Sequence, residues 1–217
     1  MMKNKLQLTS NDIVEISAKT LLSAIPIGGE LITNVWDSIK SNCAQKRLED
    51  WQKNIEERLN HIDKTLEEIG NNENFTTAIF HATEMAIKTA ENEKRAYLAN
   101  AVVNSISCDL EESIMMMFFD MIGKYTIMHI NILIYFRDPK KFISNSNVMM
   151  GSPKNFLYQV YPTFRENDKL VDKIIRELYA DGLMNTEDLN STMSVNGMLS
   201  SRITELGNNF IAFICNS

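Results

Sequence analysis

Residues 44–69, AQKRLEDWQKNIEERLNHIDKTLEEI, carry the clearest hydrophobic pattern in the chain. Apolar side chains recur there at steps of three and four residues, which is the spacing of one helix face. Charged side chains of both signs fill the positions between them, as on a solvated outer face. The pattern predicts one long helix over 44–69. Its apolar stripe comprises Leu48, Trp51, Ile55, Leu59, Ile62 and Leu66.

A narrow apolar stripe on a long helix has two uses. It packs inside an antiparallel helical bundle, or it pairs with a second chain as a short coiled coil. The bundle is the favoured interpretation, because the pattern covers only about three heptads. Self-association through the apolar stripe stays an alternative.

The flanking sequence also predicts helices. An amphipathic pair over 12–39 is interrupted by Pro26 and by Gly28-Gly29, which end or kink a helix. Further helical patterns run through 75–89 and 98–106, and Gly70 ends the long helix. We therefore predict a helical bundle over residues 1–110.

The second half of the chain changes in pattern. Helices are predicted over 126–136, from Ser152-Pro153 onward, and from Asn167 or Asp168 to Gly182. Asn196-Gly197 between two short runs signals a two-residue β-hairpin, and a last helix follows Thr204. Three helices, a hairpin and a helix form the winged-helix order. We expect a mostly α protein with a winged-helix-like domain over 111–217 that contains one small β-hairpin.

Composition excludes several classes of protein. The 217 residues include 28 acidic and 22 basic side chains, a net charge of −6, with only 8 Gly and 4 Pro. These values argue against collagen, low-complexity disorder, histone-like basicity and a turn-rich β fold. Three scattered cysteines without a CxxC pair indicate neither a disulfide framework nor a zinc site, and favour a reducing cytoplasm. The N-terminus lacks a secretory signal pattern.

Several segments carry a resemblance. They are AIPIGGELI at 24–32, ENEKRAYLANAVVNSI at 91–106, YTIMHINILIYFRDP at 125–139, IIRELYADGL at 174–183 and ITELGNNFIAFI at 203–214. Together they resemble a widespread group of uncharacterised bacterial proteins with an N-terminal helical region and a C-terminal segment similar to a winged helix. The resemblance implies a bacterial cytoplasmic protein and transfers no catalytic residues.

Motifs that carry chemistry are missing from the sequence. It contains no GxGxxG, GxxxxGK[ST], HExxH or GxSxG pattern, and no two histidines share a helical i, i+4 spacing. His129 is expected to be a core histidine that is hydrogen-bonded to a carbonyl group. We therefore predict no catalytic residue, no cofactor and no metal site.

Basic residues cluster in one region. Residues 139–165 contain Lys140, Lys141, Lys154 and Arg165 and no acid, and Lys169, Lys173 and Arg176 follow on one face of the next predicted helix. Such a face could meet phosphates. Asp168, Asp172 and Glu177 on the same helix argue against it, as does a hairpin region without Lys or Arg.

The favoured prediction is a non-catalytic interaction protein that works through protein–protein contacts or self-association. A DNA-binding regulator is the first alternative. A membrane-perturbing effector that inserts the hinged pair 12–39 is the second and less favoured one, because the uncharged run 20–29 is shorter than a membrane span.

Overall fold

The computed structural model describes residues 42–62, 64, 68–69, 71–142 and 151–215. The predicted pair 12–39, Leu66 and Gly70 lie outside the described residues. Within them the chain is mostly helical, as the sequence predicts, and it forms no strand.

The helices follow one another closely along the chain. In the first half they are α1 (Asn42–Leu59), α2 (Glu73–Lys88), α3 (Asn92–Ser105) and α4 (Glu112–Lys124). In the second half they are α5 (Ile127–Arg137), a 3₁₀ helix (Pro139–Phe142), α6 (Pro153–Val160), a second 3₁₀ helix (Pro162–Asn167), α7 (Asp168–Ala180), the short α8 (Val195–Met198) and α9 (Glu205–Ile214).

Contacts along the chain divide it into two compact units. Among the described residues, the first unit comprises those from 42 to Gly123 together with Phe213–Cys215, and the second comprises those from Lys124 to Ala212. Helix α4 therefore belongs to the first unit except for its last residue, Lys124.

Helix α1 packs against both α2 and α3 within the first unit. Its residues Leu48, Trp51, Ile55 and Leu59 are buried, and the Trp51 indole Nε1 donates a hydrogen bond of 2.9 Å to Thr83 Oγ1. A side chain buried by its own chain is not free to pair with a second copy. These four residues are therefore core residues of the first unit, which argues against the alternative that they form an oligomer contact; self-association itself stays a prediction.

Helix α1 ends ten residues before the predicted Ile69. The chain turns after Leu59, where the amide of His61 bonds to the Arg58 carbonyl and that of Ile62 to the Leu59 carbonyl, both at 3.1 Å. Such i to i−3 bonds tighten and close a last helical turn. The apolar spacing continues past this point, so periodicity alone gives no sign of the break.

The predicted β-hairpin is wrong. Asn196 and Gly197 lie inside α8, where Ser194 caps the helix by accepting a hydrogen bond from the Gly197 amide. A type I′ hairpin turn needs positive φ at both central residues. Gly182 is the one glycine with positive φ in the described ranges. The only strand-like pairs described there are two isolated antiparallel bridges, Gly151–Met193 and Met184–Ile203.

Two predicted helix boundaries in the second unit are confirmed. Ser152 caps α6 by accepting a hydrogen bond from the Asn155 amide, with proline at the first helical position. Helix α7 ends at Ala180, and Gly182, whose φ is 76°, is the C′ residue just beyond it. The Leu183 amide bonds to the Leu178 carbonyl at 2.9 Å, which completes a Schellman cap.

Candidate nucleic-acid interface

Helix α7 separates apolar from basic side chains around its circumference. Its inner face consists of the buried residues Val171, Ile174, Ile175 and Leu178. Lys169, Lys173 and Arg176 are exposed on the opposite side at steps of four and three residues. We name these three residues the basic stripe. At a rise of 1.5 Å per residue the stripe is about 10 Å long.

The positive charge of the basic stripe is only partly compensated. Lys173 pairs with Glu177 at 3.2 Å. Lys169 and Arg176 form no ion pair with any residue in the described part of the chain. Two of the three predicted contacts on this helix therefore present a free positive charge.

The acids at the start of α7 are engaged by a buried lysine. Lys154 Nζ on α6 lies 2.6 Å from Asp168 Oδ1 and 2.5 Å from Asp172 Oδ1. Lys154 is only 4% exposed. A side chain buried between two carboxylates is not placed to meet a ligand, which argues against the prediction that Lys154 contacts nucleic acid. Its role is to join α6 to α7.

Tyr158 and Arg165 extend this cluster. The Tyr158 hydroxyl donates a hydrogen bond of 2.7 Å to Asp168, and the Arg165 guanidinium lies over the Tyr158 ring at 5.9 Å. Hydrogen bonds from Lys154 and Tyr158 lower the pKa of Asp168 below its usual value. Burial, together with the bond to Asp168, raises the pKa of Tyr158 to about 12. The carboxylate is therefore charged and the phenol neutral near pH 7.

Glu177, the third acid of α7, is engaged by a histidine of α5. Its Oε2 lies 3.1 Å from His129 Nε2, while His129 Nδ1 accepts from the Thr126 amide at 3.2 Å. Because Nδ1 accepts, we assign the ring proton to Nε2, which donates to Glu177. Burial lowers the pKa of His129 despite this carboxylate. The sequence predicted a carbonyl group as the hydrogen-bond partner of His129. Its partners are instead the Glu177 carboxylate and the Thr126 amide at the start of α5.

The C-terminal end of α7 is also held by polar contacts. Asp181 Oδ2 accepts hydrogen bonds from Lys124 Nζ and from the Tyr125 hydroxyl, both at 2.6 Å. Burial opposes the charge of Asp181, but the two hydrogen bonds lower its pKa overall. The Tyr125 ring also stacks on the His129 ring with 5.0 Å between centroids. Both ends of α7 are thus held by side chains from outside the helix.

The other predicted contacts lie on different elements. Lys140 and Lys141 are exposed on the 3₁₀ helix after α5, and Lys141 pairs with Asp138 at 3.5 Å. Arg165 is exposed in the turn before α7. The three residues of the basic stripe are exposed on one face of α7, as their spacing indicates, and their contact with nucleic acid stays a prediction. Sequence reasoning missed the Lys154 cluster, because residues 14 and 18 positions apart give no local signal.

Sequence reasoning also passed over two apolar residues. Leu170 is 43% exposed and Tyr179 is 45% exposed, and they lie at the two borders between the outer and inner faces of α7. Both residues lie between the apolar face and the basic face of α7, and the amphipathic pattern therefore gave no prediction of their exposure.

The described residues contain no group of three or more His, Cys, Asp or Glu side chains placed to hold a metal ion. None of the helices described is both long and apolar enough to cross a bilayer. Comparisons with protein-family models, with curated proteins and with solved structures gave no significant match.

Proposed function

We propose that this protein is a non-catalytic nucleic-acid-binding protein in which the basic stripe of α7 contacts the phosphate backbone of a duplex. One observation carries the proposal. Three basic side chains are exposed along the outer face of α7, while the acids of the same helix are engaged by Lys154 and His129. Those acids were the main argument against this function at the level of sequence.

The order of elements supports the proposal. Helix α6, a turn and α7 follow one another, and the turn packs against both helices. In helix-turn-helix proteins the second helix enters the major groove, which is about 12 Å wide and admits one helix. The segment between α6 and α7 is longer than the usual three or four residues.

The expected binding is electrostatic and of modest strength. A duplex carries one charge per about 1.7 Å of axis with both strands counted, so a stripe of about 10 Å spans enough phosphates for each of its three cations to contact one. Contacts to phosphates orient a protein but carry little sequence information. We expect non-specific binding with a Kd of about 10⁻⁴–10⁻⁶ M at physiological salt.

Fluorescence anisotropy with a labelled 20-base-pair duplex tests this function. The stripe variant K169E/K173E/R176E is compared with K46E/K53E/K88E, whose three lysines are exposed in the first unit. Each triple variant lowers the net charge by the same amount. Affinity should fall at least tenfold in the stripe variant and stay within about threefold of wild type in the control. Equal losses in both variants, or a wild-type protein that does not bind, would refute the proposal.

Protein–protein contact through the same helix is the second candidate. It is favoured by Leu170 and Tyr179, because exposed aromatic and apolar residues beside arginine are typical of interface centres. The variant L170S/Y179S separates the two candidates. It should keep duplex binding if phosphates are the ligand. Loss of duplex binding together with retained folding would instead assign the contact to the apolar residues.

A further inference from the structure

Among the described lysines that contact α7, Lys154 is the most deeply buried. Its side chain is 5% exposed, and it reaches two carboxylates that lie one turn apart on that helix. Its own backbone amide bonds to the Leu189 carbonyl at 3.2 Å. A buried ammonium group needs such partners, because the desolvation of an unpaired charge opposes folding. Burial acts against the charge of Lys154, but the hydrogen bonds that it donates to Asp168 and Asp172 raise its pKa overall.

The charge of α7 depends on this lysine. The helix carries three basic residues in the basic stripe and three acids, Asp168, Asp172 and Glu177, so by itself it is neutral. Lys154 neutralises one of the two negative charges near the start of the helix. It also holds both carboxylates at its ammonium group, where the Asp172 side chain is 17% exposed and the Asp168 side chain 46% exposed. The helix and its partner lysine together carry a net positive charge.

We propose that Lys154 is a positioning residue for the basic stripe. It compensates one of the two charges of Asp168 and Asp172 and fixes both side chains, so that a phosphate backbone meets Lys169, Lys173 and Arg176 with less repulsion from the two carboxylates. The inference rests on the proposed function of α7. It reverses the role expected from the sequence, because Lys154 assists binding without touching the ligand.

A binding experiment with the same 20-base-pair duplex tests this role. In K154M two carboxylates lose their counter-charge, and we expect the affinity to fall about fivefold at 50 mM salt. The matched control K46M removes one exposed lysine from the first unit and should bind like wild type. The triple variant K154M/D168N/D172N removes the acids as well, and its affinity should return to within about twofold of wild type.

The variant D168N adds a test that does not depend on the folding of K154M. It leaves a neutral pair of Lys154 and Asp172 and should tighten duplex binding about twofold. The inference is overturned if K154M binds like K46M, if the triple variant does not recover, or if D168N weakens binding. If wild type and K46M both fail to bind the duplex, the proposed function fails and this inference falls with it.

Discussion

Gly207 on α9 lies so close to the Leu183 backbone that no side chain fits at its position. A Cβ at this position of α9 would overlap the Leu183 carbonyl oxygen, which is backbone and cannot move aside. We predict that G207A lowers the free energy of unfolding by about 1–3 kcal/mol. The control is G197A, where the added Cβ meets only the side chains of Met193 and Ser194.

Chemical denaturation of both variants checks this prediction. G197A should stay within about 1 kcal/mol of wild type, because flexible side chains can adjust. Equal stability of G207A and wild type would contradict the close approach of α9 to Leu183.

His129 gives the second unit a pH-dependent stability. Its pKa in the folded protein is lowered from 6.5 mainly by burial. The unfolded chain therefore binds a proton more readily, and stability falls as the pH drops below about 6.5 toward the folded value. Protonation of Nδ1 would also remove the acceptor of the Thr126 amide.

Unfolding experiments at pH 7.5 and 5.5 test this dependence. The wild-type protein should lose stability at the lower pH, and H129Q should lose less, because the titrating group is gone. An identical loss in both proteins would show that His129 does not contribute.

At the level of elements, α1 is a core helix of the first unit. We predict that I55A lowers the free energy of unfolding by about 2–5 kcal/mol, because Ile55 is fully buried. The exposed Lys53 on the same helix supplies the control K53A, which should change stability by less than about 0.5 kcal/mol. Light scattering should report the same mass for I55A as for wild type. A lower mass without loss of stability would show that Ile55 forms an oligomer contact.

Local signals predicted some elements well and others badly. Ser152-Pro153 and Gly182 determine helix ends through caps and φ, so these two ends could be predicted from the sequence alone. Asn196-Gly197 has the composition of a hairpin turn, but the cap at Ser194 stabilises a short helix instead. The end of α1 at Leu59 was missed for a different reason. The apolar spacing continues through the turn.

At the level of the whole molecule, the helical class followed from composition and periodicity. The position of the basic stripe also followed from spacing, because one helix face is a local property. The partners of the acids on α7 could not be predicted from spacing. These partners are Lys154 and His129, which are distant in sequence and reach the helix only after folding.

The proposed function makes the whole molecule a polyanion-binding protein despite its net charge of −6. Its central claim is that three side chains of α7 neutralise phosphates. The most direct test is the slope of log K against log salt for a 20-base-pair duplex, measured for wild type and for K169Q/K173Q/R176Q. Three phosphate contacts predict a slope of about −2.7 for wild type and a slope near zero for the variant. The same slope in both proteins would contradict the account.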